Sequence, residues 1–358
     1  MRLPNPYGLP VKLLLRLALM LGVLAGAVAL TAYVWFTRAL VPTGERASAV
    51  EIVVPPGTPA IAIGGLLHDA GLDIDERPFA LTARLLGVHN RLQSGVYELP
   101  PGASLEDILR KLSRGEAQQF AVTLIEGWRF SDMLRAVQKQ PGIVVTLPTD
   151  PDEAAPILAR QAGLPTAHPE GYIFPDTYLF TPGHRDIDLF LRAIRLQRKV
   201  LAQAWEARNA RVVVNSPQEA LVLASIIEKE TQFAPDRQRV SAVFQNRLSI
   251  GMPLQSDPTV IYALGREFDG NLRRPDLRVV SPYNTYVVRG LPPTPISNPG
   301  RAALLAALNP SPTKALYFVA RGDGSSYFSE NLDTHNQAVN FYQRGRGPKP
   351  ADLLGERP

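Results

Sequence analysis

Two carboxylates, Glu228 and Glu230, close the apolar run NSPQEALVLASIIEKETQ (215–232). A carboxylate emerging from a buried helix is partly desolvated, and it lies near the negative end of the helix macrodipole. Both effects raise its pKa toward neutrality, the condition for a general acid at neutral pH. Helical spacing sets Glu228 on the stripe of Leu221, Ala224, Ser225 and Thr231, with Glu230 about 200° away beneath Leu223 and Ile227. Spacing alone does not rank them. On pattern alone a plainer reading also stands, in which both are surface or salt-bridged residues finishing a core helix.

Other chemistries find little support. The chain has no cysteine, which removes disulfides, thiolate metal sites, iron–sulfur clusters and a cysteine nucleophile. His68, His89, His168, His184 and His335 share no metal-ligand spacing. Neither a glycine-rich phosphate loop nor a G-x-S-x-G elbow is present, so no metal and no cofactor is expected. Ser311-Pro-Thr-Lys314 matches S-x-x-K, but Pro312 and Asn309-Pro310 make it a turn, whereas that nucleophile opens a helix. Lys and Arg number 38 against 33 acids, a net charge of +5. That balance suits an anionic surface or polymer and lacks the dense basic tracts of a nucleic-acid binder.

The elements that must position the carboxylates are legible in outline. Ser216 caps the 217–230 helix, Pro217 takes its first position and Glu219 completes a capping box. Leu221 to Ile227 is apolar or small on every side, so the helix is expected to be buried. Upstream, a strand, a turn and a capped helix recur as EIVVPPGTPAIAIGGLL (51–67), VYELPPGASLEDILRKL (96–112) and, more loosely, AVTLIEGWRFSDMLRAV (121–137). In the first, Pro-Pro-Gly turns the chain, Thr58 caps and Pro59 opens the helix. In the second, Ser104 and Asp107 form a capping box, and Leu105, Ile108, Leu109 and Leu112 make one apolar stripe. The uneven spacing excludes a solenoid and favours a small α+β module. Strand–PxG–Thr/Ser–helix resembles the LysM fold, a glycan-binding module of two strands and two helices; an α+β packing unit without ligand is the alternative. Further along, the pattern predicts a loop at 169–178, a helix over 186–209, a buried strand at Val212–Val214 and a Pro/Gly loop region at 265–300. A helix at 301–308, a hairpin turning at Asp323-Gly324, a helix over 333–344 and a disordered tail complete the chain.

Leu17–Thr37 carries no charge, and as a helix it reaches about 31 Å, one hydrocarbon core. It is longer than the apolar core of a cleaved signal and ends in Tyr33, Trp35 and Phe36, which suit an interfacial belt. Arg2, Lys12 and Arg16 before it, against Arg38 and Arg46 after it, favour an N-terminus in the cytoplasm. The expected organisation is a cytoplasmic segment 1–16, a transmembrane signal anchor 17–37 and a linker 38–49. An α+β LysM-like module 50–118, an α+β catalytic domain 119–345 and a tail 346–358 follow.

Several long motifs stand in order along this chain: GYIFPDTY (171–178), LASIIEKET (223–231), VFQNRLSIGMPLQSDPTVIYAL (243–264), SPYNTYVVRGLPPTPISNPG (281–300) and FSENLDTHN (328–336). Together with the single apolar span, they resemble the endolytic murein transglycosylase (YceG-like) family from the span to about residue 342. The resemblance implies an enzyme that cuts nascent peptidoglycan glycan strands internally, outside the bacterial inner membrane, and makes the first Glu of the intact E-K-E-T motif, Glu228, catalytic. It implies attack of the MurNAc 6-hydroxyl on its own anomeric carbon, giving a 1,6-anhydro end without a second enzyme carboxylate. If a partner carboxylate exists, Asp257 is the obvious residue, with capping of the helix Thr259–Leu264 as its competing role. Tyr283, Asn284, Thr285 and Tyr286 offer amide and aromatic groups for N-acetyl groups and sugar faces, or a β-strand edge. Glu170, Asn246 and Tyr262 are further cleft candidates, and Arg247 and Arg289 are candidates for stem-peptide carboxylates. Peptidoglycan synthases are candidate partners. A non-catalytic glycan-binding scaffold and a hydrolytic muramidase are the alternatives.

Overall fold

The computed structural model describes residues 11–38, 40–43, 48–55 and 57–351. They fall into two compact units: one runs to Phe120 and includes Thr181–Gly183, and the other holds Ala121–Phe180 and the residues from His184 onward. The fold mixes helices and short strands, α+β, with one apolar helix near the N-terminus.

In the first unit, helix α1 (Val11–Thr37) is apolar and exposed along its span, long enough to cross a bilayer. Thr31 and Thr37 hydroxyls donate to the Ala27 and Tyr33 carbonyls, so neither is left unpaired on an apolar surface. Of the aromatic trio only Tyr33 is exposed; Trp35 and Phe36 are half-buried and pack against the unit's core. Leu40 and Val41, within the stretch read as linker, are buried in that core, and their backbone pairs with Gly102 and Ala103. Arg2, Arg46, Pro56 and the residues 352–358 of the tail lie outside the described residues.

Strands β1 (Val50–Val54) and β2 (Gly95–Leu99) pair antiparallel, with helices α2 (Ala60–Asp69) and α3 (Glu76–Leu85) between them in sequence. The two helices approach closely at Gly64, where a Cβ would stand 2.7 Å from the Glu76 Cα. Helix α4 (Leu105–Arg114) carries the expected Ser104–Asp107 capping box, and Leu105, Ile108, Leu109 and Leu112 are buried. Burying each contributes about 1.5–3 kcal/mol. Thr58 does not cap: its hydroxyl donates to the Pro55 carbonyl, and Pro59 stands at the N-cap instead.

The second unit contains β3 (Phe120–Thr123) from its second residue on, α5 (Phe130–Gln138), α6 (Pro151–Ala162), β4 (Thr177–Phe180), α7 (Asp186–Glu206), α8 (Pro217–Glu230), α9 (Arg237–Ser249), α10 (Asp257–Leu264), α11 (Arg301–Leu308), the hairpin β5 (Tyr317–Ala320) and β6 (Ser326–Ser329), and α12 (Leu332–Tyr342). β3 pairs with β4. Helix α8 is the hub, contacted by α7, α9, α10 and α11, and every residue from Ala220 to Glu228 is buried. Its one buried hydroxyl is satisfied: Ser225 donates to the Val222 carbonyl and accepts from the Ile296 amide.

Val212–Val214 is not a strand. Three β-branched residues in a row favour one, but the Val213 N–H donates to the Gln245 side chain rather than to a neighbouring strand. Tyr283–Tyr286 is a turn, not a strand edge. Within the tail, Arg346 N–H donates to the Asn340 carbonyl and the Tyr327 hydroxyl to the Ala351 carbonyl.

Candidate active site

Helix α8 starts as its sequence requires and ends in the chemistry. The Ser216 hydroxyl accepts from the Glu219 amide. The Glu219 carboxylate reaches one residue further than a capping box would, to the Asn215 amide at 2.7 Å. At the far end the two carboxylates diverge, and each meets a different wall.

Glu228 is 8% exposed. Its Oε2 accepts from the Gly300 amide at 2.9 Å, and Gly300 is the N-cap of α11, where the positive end of that helix lies. Its Oε1 has no hydrogen-bond partner among the described residues and is not enclosed. Burial, the largest influence, pushes the Glu228 pKa up; the Gly300 amide opposes it, and the nearby Glu126 charge adds to it. A Cβ on Gly300 would stand 1.8 Å from Glu126 Oε1, so the Glu126 carboxylate rests on the bare Gly300 Cα. Gly127, at φ 75°, lies against the Glu228 side chain, with 3.5 Å between the Glu228 Cγ and the place a Cβ would take. At Gly300 the absent side chain leaves room for the Glu126 carboxyl group, whereas at Gly127 it is the positive φ that favours glycine.

Glu230 turns toward Ser256, whose hydroxyl donates to its Oε2 at 2.8 Å. Burial pushes its pKa up to about 7, with Asp257 adding and Ser256 and Arg247 opposing. It opens on a cleft of about 620 Å³ shared with Asp257, Tyr286 and His335. Asp257 does not cap: it is the first residue of α10, and it accepts from the Tyr286 hydroxyl at 2.6 Å. The adjacent Gln255 is the non-glycine residue with positive φ, 51°, among the described residues, a strained position on the same wall.

Glu170, Tyr262 and Tyr283 share a second cavity, of about 580 Å³. Tyr262 and Tyr283 lie with ring centroids 4.9 Å apart, and the Tyr283 hydroxyl bonds the Thr294 hydroxyl. Asn298 ties this cavity to Glu228. Its Nδ2 donates to Glu170 and to the Trp128 carbonyl, and its Oδ1 accepts from the Gly171 and Ile173 amides. Two residues further on, Gly300 holds Glu228.

The remaining sequence candidates are occupied structurally. Asn246 donates to the Thr313 and Ala315 carbonyls and lines a different cavity, with Pro310 and Lys314. Asn284 is fully buried and donates to the Leu277 and Val279 carbonyls. Thr285 bonds the Thr259 hydroxyl and the Ser256 amide. Arg247 is buried and donates to the Leu316 and Leu254 carbonyls, and Arg289 donates to the Gly251 carbonyl. Sequence reasoning missed Glu126, Asn298 and Gly300. The available signal was a Glu-Gly pair after β3 and an Asn-Pro-Gly run before α11.

Fold and site together define an α+β protein that presents a desolvated carboxyl group at the C-terminal end of a buried helix. Residues 52–341 match the model of the YceG-like family, and the chain belongs to that family. It is 31% identical over 323 residues to the endolytic murein transglycosylase of Bacillus subtilis, covering 85% of this chain and 88% of that protein. The endolytic murein transglycosylase of Streptococcus pneumoniae is 29% identical over 324 residues, 81% of this chain and 58% of its own length. The crystal structure of a yceG-like protein from Listeria monocytogenes is similar at a TM-score of 0.52 and 30% identity, covering 81% of this chain and 98% of that one.

Proposed function

We propose that this protein is an endolytic murein transglycosylase with Glu228 as its acid and base. The observation that carries the reading is the Glu228 carboxyl group: buried, with one oxygen fixed by the Gly300 amide and the other open. The amide bond makes Oε2 the acceptor oxygen, so the proton resides on Oε1. Oε1–H protonates the glycosidic oxygen between MurNAc and GlcNAc as the bond to the anomeric carbon breaks. The MurNAc 6-hydroxyl oxygen then bonds that carbon and returns its proton to Glu228. The product is a 1,6-anhydro-MurNAc end, with no water consumed. Intramolecular attack carries a high effective molarity, so no second enzyme carboxylate need activate a nucleophile. The Gly300 amide and the start of α11 stabilise the carboxylate during the interval when it has given up its proton.

Tyr262, Tyr283 and Tyr286 are the aromatic surfaces proposed for the sugar faces, while Asn284 and Thr285 hold the wall behind them and Asn246 lies at a different cavity. The order β1–α2–α3–β2 supports a LysM-like glycan-binding role for the 50–118 module, placed before a catalytic domain at 119–345. The exposed α1 supports a single-pass anchor in a bacterial inner membrane, with the N-terminus inside, the enzyme in the periplasm and peptidoglycan synthases as neighbours. Cleavage there would terminate glycan elongation.

Digestion of purified murein followed by mass spectrometry tests the reaction. Anhydro ends are expected from the parent and from Glu230→Gln, and their loss from a folded Glu228→Gln. Ends that persist in Glu228→Gln, or that vanish only in Glu230→Gln, overturn the assignment. The Glu126 carboxylate beside Glu228 favours one second reading, a hydrolytic muramidase with Glu126 as water-activating base. Reducing ends that take up heavy oxygen from labelled water would establish it.

A further inference from the structure

Glu170 is 3% exposed, and no step above uses it. Its Oε1 accepts two hydrogen bonds, from the Phe130 amide at 3.0 Å and from Asn298 Nδ2 at 2.8 Å. Its Oε2 has no partner among the described residues and is not enclosed, and the side chain lines the 580 Å³ cavity. A carboxyl group with two N–H donors on one oxygen carries its proton, when it has one, on the other. Burial pushes the Glu170 pKa up to about 8, opposed by the Phe130 amide and the Arg129 charge and reinforced by Asp132. Arg129, Asp132, His168, Asp152, Arg266, Tyr262 and Tyr283 are the charged and titratable groups around it. At neutral pH the cavity therefore holds a fixed O–H donor, a role a buried acid can fill when its site keeps it neutral.

Pockets of this size hold small ligands by a few placed polar groups on a mainly apolar wall. The wall here offers the Tyr283 ring and the part of the Tyr262 ring left by the Arg129 guanidinium, which stands 4.9 Å from its centroid, with Ala167 and Pro151 as small apolar surfaces. A sugar hydroxyl gives and accepts hydrogen bonds equally, so a fixed donor says little about it. An acetamido group matches both features: its carbonyl is an acceptor that needs a donor, and its methyl needs an apolar wall.

We propose that this cavity is a sugar subsite in which Glu170 Oε2–H donates to the N-acetyl carbonyl of a glycan residue packed against Tyr262 and Tyr283. This inference rests on the murein reading and names the group recognised.

The test uses the full chain carrying Glu228→Gln, which binds strands without cutting them. Its affinity is measured by calorimetry for peptide-free murein glycan strands and for the same strands after de-N-acetylation. The N-acetylated strands are expected to bind about tenfold more tightly, the worth of one well-placed hydrogen bond. Adding Glu170→Met removes the preference. Adding Glu170→Gln keeps it, because the amide oxygen accepts both N–H bonds and its NH2 donates where the acid did. The preference weakens above about pH 8 in the Glu170 protein, as the acid loses its proton, and does not in Glu170→Gln. Thermal unfolding of each variant reads the fold, and if Glu170→Met does not fold, Glu170→Gln and the pH series decide. Equal binding of the two strand types, or a folded Glu170→Met that keeps the preference, or a folded Glu170→Gln that loses it, overturns the proposal. Anhydro ends without an N-acetyl preference sink this inference alone; the preference without anhydro ends sinks only the enzymatic reading.

Discussion

A carboxylic acid donates a proton only while it still holds one at the working pH, so the groups that raise the Glu228 pKa belong to the catalytic argument. Burial is the larger influence and is built into the α8 terminus. The Glu126 charge is the adjustable one, since it sits on an exposed side chain that substitution changes without disturbing the core. Removing that charge lowers the Glu228 pKa. Glu126→Gln is therefore expected to move the alkaline limb of the kcat/KM profile to lower pH, and to do so less at high salt, which screens an exposed charge. The acidic limb and the anhydro product should be unchanged. Loss of all cleavage in a folded Glu126→Gln would instead make Glu126 a direct participant, as the hydrolytic reading requires.

At the scale of elements, the site is an encounter between the end of α8 and the start of α11, with the loop before α5 pressed between them. Gly300 is the contact. Its φ of −78° suits any residue, so the need for glycine here is spatial and comes from Glu126. Gly300→Ala should force the Glu126 carboxylate aside and disturb the amide that holds Glu228, with kcat down about tenfold, a displacement effect of ordinary size for a positioned acid. Glu126→Ala in the same chain clears the space and should restore part of that loss; purely additive losses would disprove the steric account. The sequence made α8 readable because no polar residue but Ser225 interrupts 220–227 and Ser216-Pro217 marks its start. The hairpin was readable from its Asp-Gly turn. The partners of Glu228 were hidden because Glu126 and Gly300 lie about a hundred and about seventy residues away on irregular loops, where no periodicity marks spatial neighbours. Of the two roles the sequence leaves open for Asp257, capping is not taken up: Asp-Pro at a helix start has that meaning locally, whereas here Asp257 opens the helix and the Tyr286 hydroxyl claims it.

For the molecule as a whole, the boundary of the working part lies earlier than composition indicates. Leu40 and Val41 are 6% and 1% exposed, so they belong to the first unit rather than to a tether. A chain starting at Arg38 should leave the membrane pellet on alkaline washing, where the full chain stays, and remain folded. A chain starting at Ser48 should lose about 3–6 kcal/mol of stability in that unit, from two buried aliphatic side chains. Equal urea midpoints for the two would refute that packing role.

Glu170, buried, and Glu230, half-buried, make a further prediction for the whole chain, one whose sign depends on the pH window. Glu170 and Glu230 have folded pKa values raised to about 8 and about 7. Their stabilising contribution is complete below the unfolded value near 4.5 and is lost as pH rises through the folded values. His168 and His335 act the other way, since burial lowers their pKa and folding then weakens as pH falls below 6.5. Above pH 6.5 the unfolded histidines give up only the last part of their charge, a smaller effect of opposite sign, and the acids dominate. Stability of the second unit should then fall by about 2 kcal/mol between pH 6.5 and 8, chiefly through Glu170, because the folded state still holds protons that the unfolded chain has released. Urea unfolding followed across that window measures it. Glu170→Gln should flatten the decline while leaving the smaller share of Glu230, and a decline of equal size in Glu170→Gln would show that Glu170 is ionised in the folded protein.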